Sequence, residues 1–132
     1  FSSAAADSRG SKGVQDSEND AQAYDNRGVA YAQLGQYEQA IEDLDKAIQL
    51  DPNDYYAYNV RGLTYGGLGE HQRAIEDFDK TIQMYPDYAA LYGNRGRAYQ
   101  ALAQASSWMT RRKWSSKAQE DFDKARSLGY IE

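Results

Sequence analysis

The sequence predicts an all-α fold of three repeated helix-turn-helix units, about six helices in all. Three observations predict it. First, "YDNRGVAYAQLGQYEQAIEDLDKAIQLDP" from Tyr24 aligns without a gap to "YNVRGLTYGGLGEHQRAIEDFDKTIQMYP" from Tyr58. Tyr24/Tyr58, Arg27/Arg61, Gly28/Gly62, Ala40/Ala74 and Pro52/Pro86 are each 34 residues apart, a period typical of stacked repeats. Second, apolar and small residues within each copy keep helical spacing. Third, a glycine or a proline closes each segment, Gly35 where a left-handed residue caps a helix and Pro52 where a helix must stop.

Residues 1–20, "FSSAAADSRGSKGVQDSEND", have no sustained apolar period and read as a disordered tail, because burial there would not offset ordering entropy. The first unit, 21–54, places Tyr24, Arg27, Gly28, Tyr31 and Leu34 on one helical face. Its second half places Ala40, Ile41, Leu44, Ala47 and Ile48 on another. The second unit, 55–88, repeats this pattern. The third, 89–132, opens with "YGNRGRAYQAL", carrying Tyr92, Arg95 and Gly96 in register. Its second half, "KAQEDFDKARSLGY", arrives late: Ala118 lies 44 residues after Ala74, so about ten residues are inserted. Small residues such as Gly28 and Ala40 let paired helices approach closely.

These positions resemble the tetratricopeptide repeat (TPR) family. Tyr24, Arg27-Gly28, Tyr31, Ala40, Leu44, Ala47 and Pro52 fill the places of its motif. So do Tyr58, Arg61-Gly62, Tyr65, Ala74, Phe78, Thr81 and Pro86, and Tyr92, Arg95-Gly96, Tyr99, Ala118, Phe122 and Ala125, with Tyr130 replacing the third proline. The resemblance implies a right-handed superhelix of three repeats across residues 21–130. One departure recurs: Arg27, Arg61 and Arg95 stand where the family usually has leucine. A cation on an inner face needs a partner. Asp43, Asp77 and Asp121 stand at matching places on the second helices, with Asp45, Asp79 and Asp123 nearby, so a ladder of Arg–Asp pairs is expected.

Catalytic chemistry is not expected. There is no cysteine, which removes thiol catalysis, disulfides and cysteine-held zinc. His71, the single histidine, starts a helix and reads as a surface residue. The "IEDLDK", "IEDFDK" and "EDFDK" runs read as solvated faces, with Glu42–Lys46, Glu76–Lys80 and Glu120–Lys124 spaced for i,i+4 pairing. "GGLG", residues 66–69, lacks the lysine and hydroxyl of a phosphate loop and closes a helix instead of opening one. No cofactor or metal site is implied. The net charge of −5 argues against nucleic acid as a partner.

The expected function is therefore a non-catalytic scaffold for a protein or peptide. The TPR resemblance implies that first helices line a concave groove, here with Asn26, Val29, Tyr56, Asn59, Leu63, Tyr88, Asn94 and Arg97. Asparagine both donates to and accepts from an extended backbone, and tyrosine offers amphipathic contact area. Relatives that grip a chaperone's terminal carboxylate use two lysines, two asparagines and an arginine at places held here by Asp25, Val29, Val60, Ala90 and Asn94, none of them a cation. That ligand class is not expected.

The insertion "SSWMTRRKW", 106–114, suggests a basic-aromatic patch of Trp108, Arg111, Arg112, Lys113 and Trp114. Charge supports it, since residues 21–54 carry 7 acidic and 2 basic side chains and residues 89–132 carry 4 and 8. An acidic protein segment, an anionic membrane surface or another copy's acidic end would suit the patch. The spacing of Trp108, Met109, Arg112, Ser115, Ala118 and Phe122 also predicts that the insertion lengthens both helices of the third repeat, with the tryptophans packing across the hairpin and the cations exposed. A chain ending directly after its last repeat leaves an apolar flank unless Tyr130 and Ile131 or the long hairpin covers it, so self-association is a further expectation. The Ser/Ala-rich start resembles mature bacterial lipoproteins past their lipidated cysteine. This suggests an alternative, a membrane-tethered extracytoplasmic assembly factor.

Overall fold

The structure, a computed structural model, describes residues 19–129. Of the expected tail, residues 1–18 lie outside the described range, as do Tyr130 and Ile131. Among the described residues there are six helices and no strand. They are α1 (residues 19–33), α2 (Tyr37–Leu50), α3 (Tyr55–Gly67), α4 (His71–Met84), α5 (Ala89–Ala105) and α6 (Trp108–Ser127). By internal contacts the described residues divide into two compact units, with the division between Ala57 and Tyr58.

The turns follow from two glycines and two prolines. Gly35 has φ 76° and Gly69 φ 79°, a conformation that costs side chains with a Cβ. Each completes a paired cap. Gln36 N–H donates to the Tyr31 carbonyl at 2.9 Å and Gly35 N–H to Ala32 at 3.0 Å. Glu70 N–H donates to Tyr65 at 2.9 Å and Gly69 N–H to Gly66 at 3.1 Å. After Pro52, the Asp54 carboxylate accepts the Ala57 N–H at 3.1 Å and so caps the start of α3.

In the first unit, Ala21, Ala40, Leu44, Ala47 and Ala57 are buried. In the second, Ala74, Ile75, Phe78 and Ala98 form a buried cluster against which Tyr65, Tyr99 and Leu102 pack. Glycines let the helices of each hairpin meet. A Cβ on Gly28 would sit 2.9 Å from Leu44 Cγ, one on Gly62 2.7 Å from Phe78 Cε1, and one on Gly96 2.8 Å from Phe122 Cε1. The large residue at the Leu44/Phe78/Phe122 position thus fills the space that each glycine leaves.

The arginine ladder forms in all three copies. Arg27 Nε and Nη2 each donate to Asp43 at 2.7 Å. Arg61 donates to Asp77 at 2.9 and 2.7 Å, and Arg95 to Asp121 at 2.9 and 2.8 Å. Both nitrogens of one guanidinium edge meet both oxygens of one carboxylate, the strongest geometry for this pair. Arg95 also donates Nη1 to Asp79 of α4 at 2.9 Å, joining successive repeats within the second unit. The same guanidinium groups lie over tyrosines: Arg27 over Tyr24 at 5.7 Å, Arg61 over Tyr58 at 5.5 Å, Arg95 over Tyr92 at 5.7 Å. The tyrosine-arginine-glycine triplet is therefore one packing device: a ring below the cation, an aspartate beside it, and a bare backbone for the neighbouring helix.

The insertion is carried as helix. α5 has 17 residues against 13 in α3, and α6 has 20 against 14 in α4. Only one tryptophan packs across the longer hairpin. Trp114 stacks on Tyr99 with ring centroids 5.8 Å apart and planes 18° from parallel. Trp108 is 80% exposed, because it is the first residue of α6, at the tip of a hairpin whose other arm ends at Ala105. The spaced Glu42–Lys46, Glu76–Lys80 and Glu120–Lys124 pairs do not close into ion pairs. These side chains are exposed, where pairing returns too little to offset side-chain entropy.

Candidate functional site

In the second unit, α3 and α5 bring polar groups together. Asn94 Nδ2 donates to Asn59 Oδ1 at 3.2 Å, across 35 residues of sequence. Arg97 Nη2 donates to Asn94 Oδ1 at 2.5 Å. Both asparagines are half-buried and Arg97 is exposed. Leu63, one turn after Asn59, is half-exposed. The face thus combines an apolar contact, a cation and amide hydrogens still available for donation: both on Asn59 Nδ2 and one on Asn94 Nδ2. Tyr88, the residue before α5, is exposed.

The first unit holds a different surface. Asn26 and Tyr56 line a cleft of about 570 Å³ together with Ala21, Gln22, Asp25, Asp51 and Asp54. Val29 is half-buried on α1 and is not among its lining residues. Asp25 is 3% exposed, and its Oδ1 has no hydrogen-bond partner. Burial pushes the Asp25 carboxyl up to about 8, helped by a side-chain hydrogen bond with Asp54 and by repulsion from Asp54 and Asp51. Asp51 accepts the Asn53 N–H at 3.1 Å within its own turn.

Asn26 and Tyr56 were expected at a groove, but the gathering of acids beside them was not, though a signal for it exists. At 34-residue spacing, Asp25, Asp51 and Asp54 correspond to Asn59, Tyr85 and Tyr88, so the second copy lacks all three acids. A stability effect follows. A folded-state value raised above the ordinary 3.8 means that the folded chain holds the Asp25 proton more tightly than the unfolded chain. Asp25 therefore costs stability increasingly as pH rises from about 4 to about 8. Asp25→Asn is expected to stabilise by about 1–2 kcal/mol at pH 8, roughly 5 °C in melting temperature, and by less at pH 5. Thermal melts at the two pH values check this, and a larger gain at pH 5 would contradict it.

The basic-aromatic segment forms the start of α6. Arg111, Arg112 and Lys113 are exposed beside Trp108 and Met109, which are 80% and 75% exposed. Arg111 Nη2 donates to the Ser106 carbonyl at 3.4 Å, at the end of α5. Lys113 lies over the Trp114 ring at 4.8 Å. Trp114 itself is tied to Tyr99, so the five expected patch residues divide into a packed aromatic and an exposed group of four. His71 is half-buried at the first position of α4. Among the described residues no group of three or more His, Asp or Glu side chains is placed to hold a metal ion, and no helix is long and apolar enough to cross a membrane.

Comparison with known proteins gives the same architecture. The first TPR of Spaghetti (RPAP3), in a structure bound to the HSP90 peptide SRMEEVD, superposes with a TM-score of 0.72 at 22% identity, covering 85% of this chain and 81% of that one. The Arabidopsis OM64 TPR domain gives 0.73 at 21% identity, covering 86% and 85%. MamA gives 0.71 at 31% identity, covering 83% of this chain and 58% of MamA. No curated protein sequence matches the chain. The tetratricopeptide repeat model matches residues 21–54 and again 55–88. Those two matches span more than half of the sequence, and the third copy repeats their arginine, aspartate and glycine geometry, so the chain belongs to the tetratricopeptide repeat family.

Proposed function

We propose that the chain is a non-catalytic protein-interaction scaffold that holds an extended segment of a partner against the face of α3 and α5. The observation that carries this reading is the Asn59–Asn94 pair. It sets amide donors between two helices, beside the exposed Leu63 and Arg97. An extended peptide needs alternating donors and acceptors for its backbone and apolar ground for its side chains, and this face offers both. The peptide-bound TPR of Spaghetti supports the class of ligand, but this chain lacks the cations expected for a terminal carboxylate.

Peptides selected from a phage-displayed library on the immobilised chain supply the ligand for the test. The double variant Asn59→Ala/Asn94→Ala is expected to weaken the selected peptide at least about tenfold, a loss of about 1.4 kcal/mol. The triple variant Arg111→Glu/Arg112→Glu/Lys113→Glu is expected to bind within about twofold of wild type at moderate salt, where distant exposed charges are screened. Titration calorimetry reads both. The reverse order of effects would move the binding surface to the start of α6.

A further inference from the structure

We propose that the cleft of the first unit is a subsite for a cationic side chain, the ammonium of lysine or the guanidinium of arginine, presented by a bound peptide. The inference extends the peptide-binding reading and rests on a different surface. A carboxylate oxygen buried without a donor is a costly arrangement. Asp25 Oδ1 is in that position, in a side chain that lines an open cleft of about 570 Å³. Asp51 and Asp54 line the same cleft, so the missing donor should carry positive charge. The three carboxylates are not placed to hold a metal ion, and the occupant proposed here is an organic cation on a stem. Tyr56, 46% exposed at the cleft, offers a ring face against which such a stem can lie. The second copy has none of the three acids, so the arrangement belongs to this place and not to the repeat as such.

Proton linkage gives the subsite a signature. Facing Asp25 are Asp51 and Asp54 from the turn between α2 and α3, Tyr56 from α3, and the uncharged Gln22 and Asn26 from α1 itself. With Asp25 held near 8, a cation entering at pH 7 favours the ionised form and releases a proton. Affinity should therefore rise by at least about tenfold between pH 6 and pH 8.

The test uses the full chain labelled with 15N, titrated with N-acetyl-lysine methylamide, N-acetyl-arginine methylamide, uncharged N-acetyl-norleucine methylamide and 1,4-diaminobutane. Saturable amide shifts centred on Gln22, Asp25, Asn26 and Asp54 are expected with the lysine and arginine probes and not with norleucine. Asp25→Asn should weaken them at least about fivefold. Asp54→Ser, which keeps an oxygen to cap α3, should weaken them in the same direction. The Asn59→Ala/Asn94→Ala variant should respond like wild type, so failure of the α3–α5 face would not be read as failure of the cleft. No saturable shift, an equal response to norleucine, an unchanged affinity in Asp25→Asn, or a response to diaminobutane alone would overturn the proposal.

Discussion

Arg95→Met is expected to destabilise the second unit by about 3 kcal/mol, seen as a lower urea midpoint with an unchanged slope. Asp121 is 4% exposed, and both of its oxygens receive Arg95 donors. Methionine keeps much of the stem's contact with Tyr92 and Tyr99 but leaves that carboxylate buried without a cation. Asp79 would lose its partner too, at little cost, because it is half-exposed. Asp121→Asn should cost only about 1–2 kcal/mol, since Arg95 keeps its ion pair with Asp79 and the asparagine oxygen still accepts one bond. Arg95→Met combined with Asp121→Leu should recover most of the loss, because two apolar side chains of similar size can replace a buried pair at near-neutral cost. If Arg95→Met costs less than about 1 kcal/mol, the ladder is decoration on a hydrophobic stack and the three-fold arginine needs another explanation.

Gly62→Ala and Gly66→Ala, one turn apart on α3, are expected to shift stability in opposite directions. The new methyl at residue 62 would stand 2.7 Å from Phe78 Cε1 and 3.1 Å from Phe78 Cδ1 and Cζ. Phe78 is 2% exposed and packed with Ala74, Ile75 and Ala98, so moving its ring aside disturbs a buried cluster. Overpacking of this kind costs about 1–3 kcal/mol, and the helix-propensity gain returns up to about 1. A net loss of about 1–2 kcal/mol follows. At residue 66 no atom beyond the adjoining backbone of its own helix lies within 4 Å of the added Cβ, so propensity acts alone and alanine should stabilise by about 0.5–1 kcal/mol. Thermal melts of the two variants in parallel read the difference. Two changes of the same sign would show that the helices of the second hairpin are not held at the distance described.

The sequence made the fold legible because each packing rule was written more than once. Gly28, Gly62 and Gly96 each stand opposite a large residue, and Arg27, Arg61 and Arg95 each stand opposite an aspartate. A residue type repeated at a fixed interval reports its surroundings even when those surroundings are unseen. The ten-residue insertion was legible as lengthened helices for a related reason, since its apolar spacing continued that of α6. The single-copy features were not readable in this way. Which tryptophan packs depends on where α5 ends: Trp114 meets Tyr99, while Trp108 lies at the hairpin tip. The mutual bond of Asn59 and Asn94 needs the register between two helices that are far apart in sequence. Asp25 stood in the sequence as one of the places where relatives grip a terminal carboxylate, and nothing there signalled its burial. It is buried because the turn carrying Asp51 and Asp54 and the start of α3 close around it.

In the proposed function, partners lie along the first helices of the repeats. Amide-shift mapping of a selected peptide on the labelled chain tests it most directly. The largest shifts are expected at Asn59, Leu63, Asn94 and Arg97 on α3 and α5, with α4 and the body of α6 unmoved. Shifts confined to Trp108, Met109 and Arg111–Lys113, or spread over the outer helices, would contradict it.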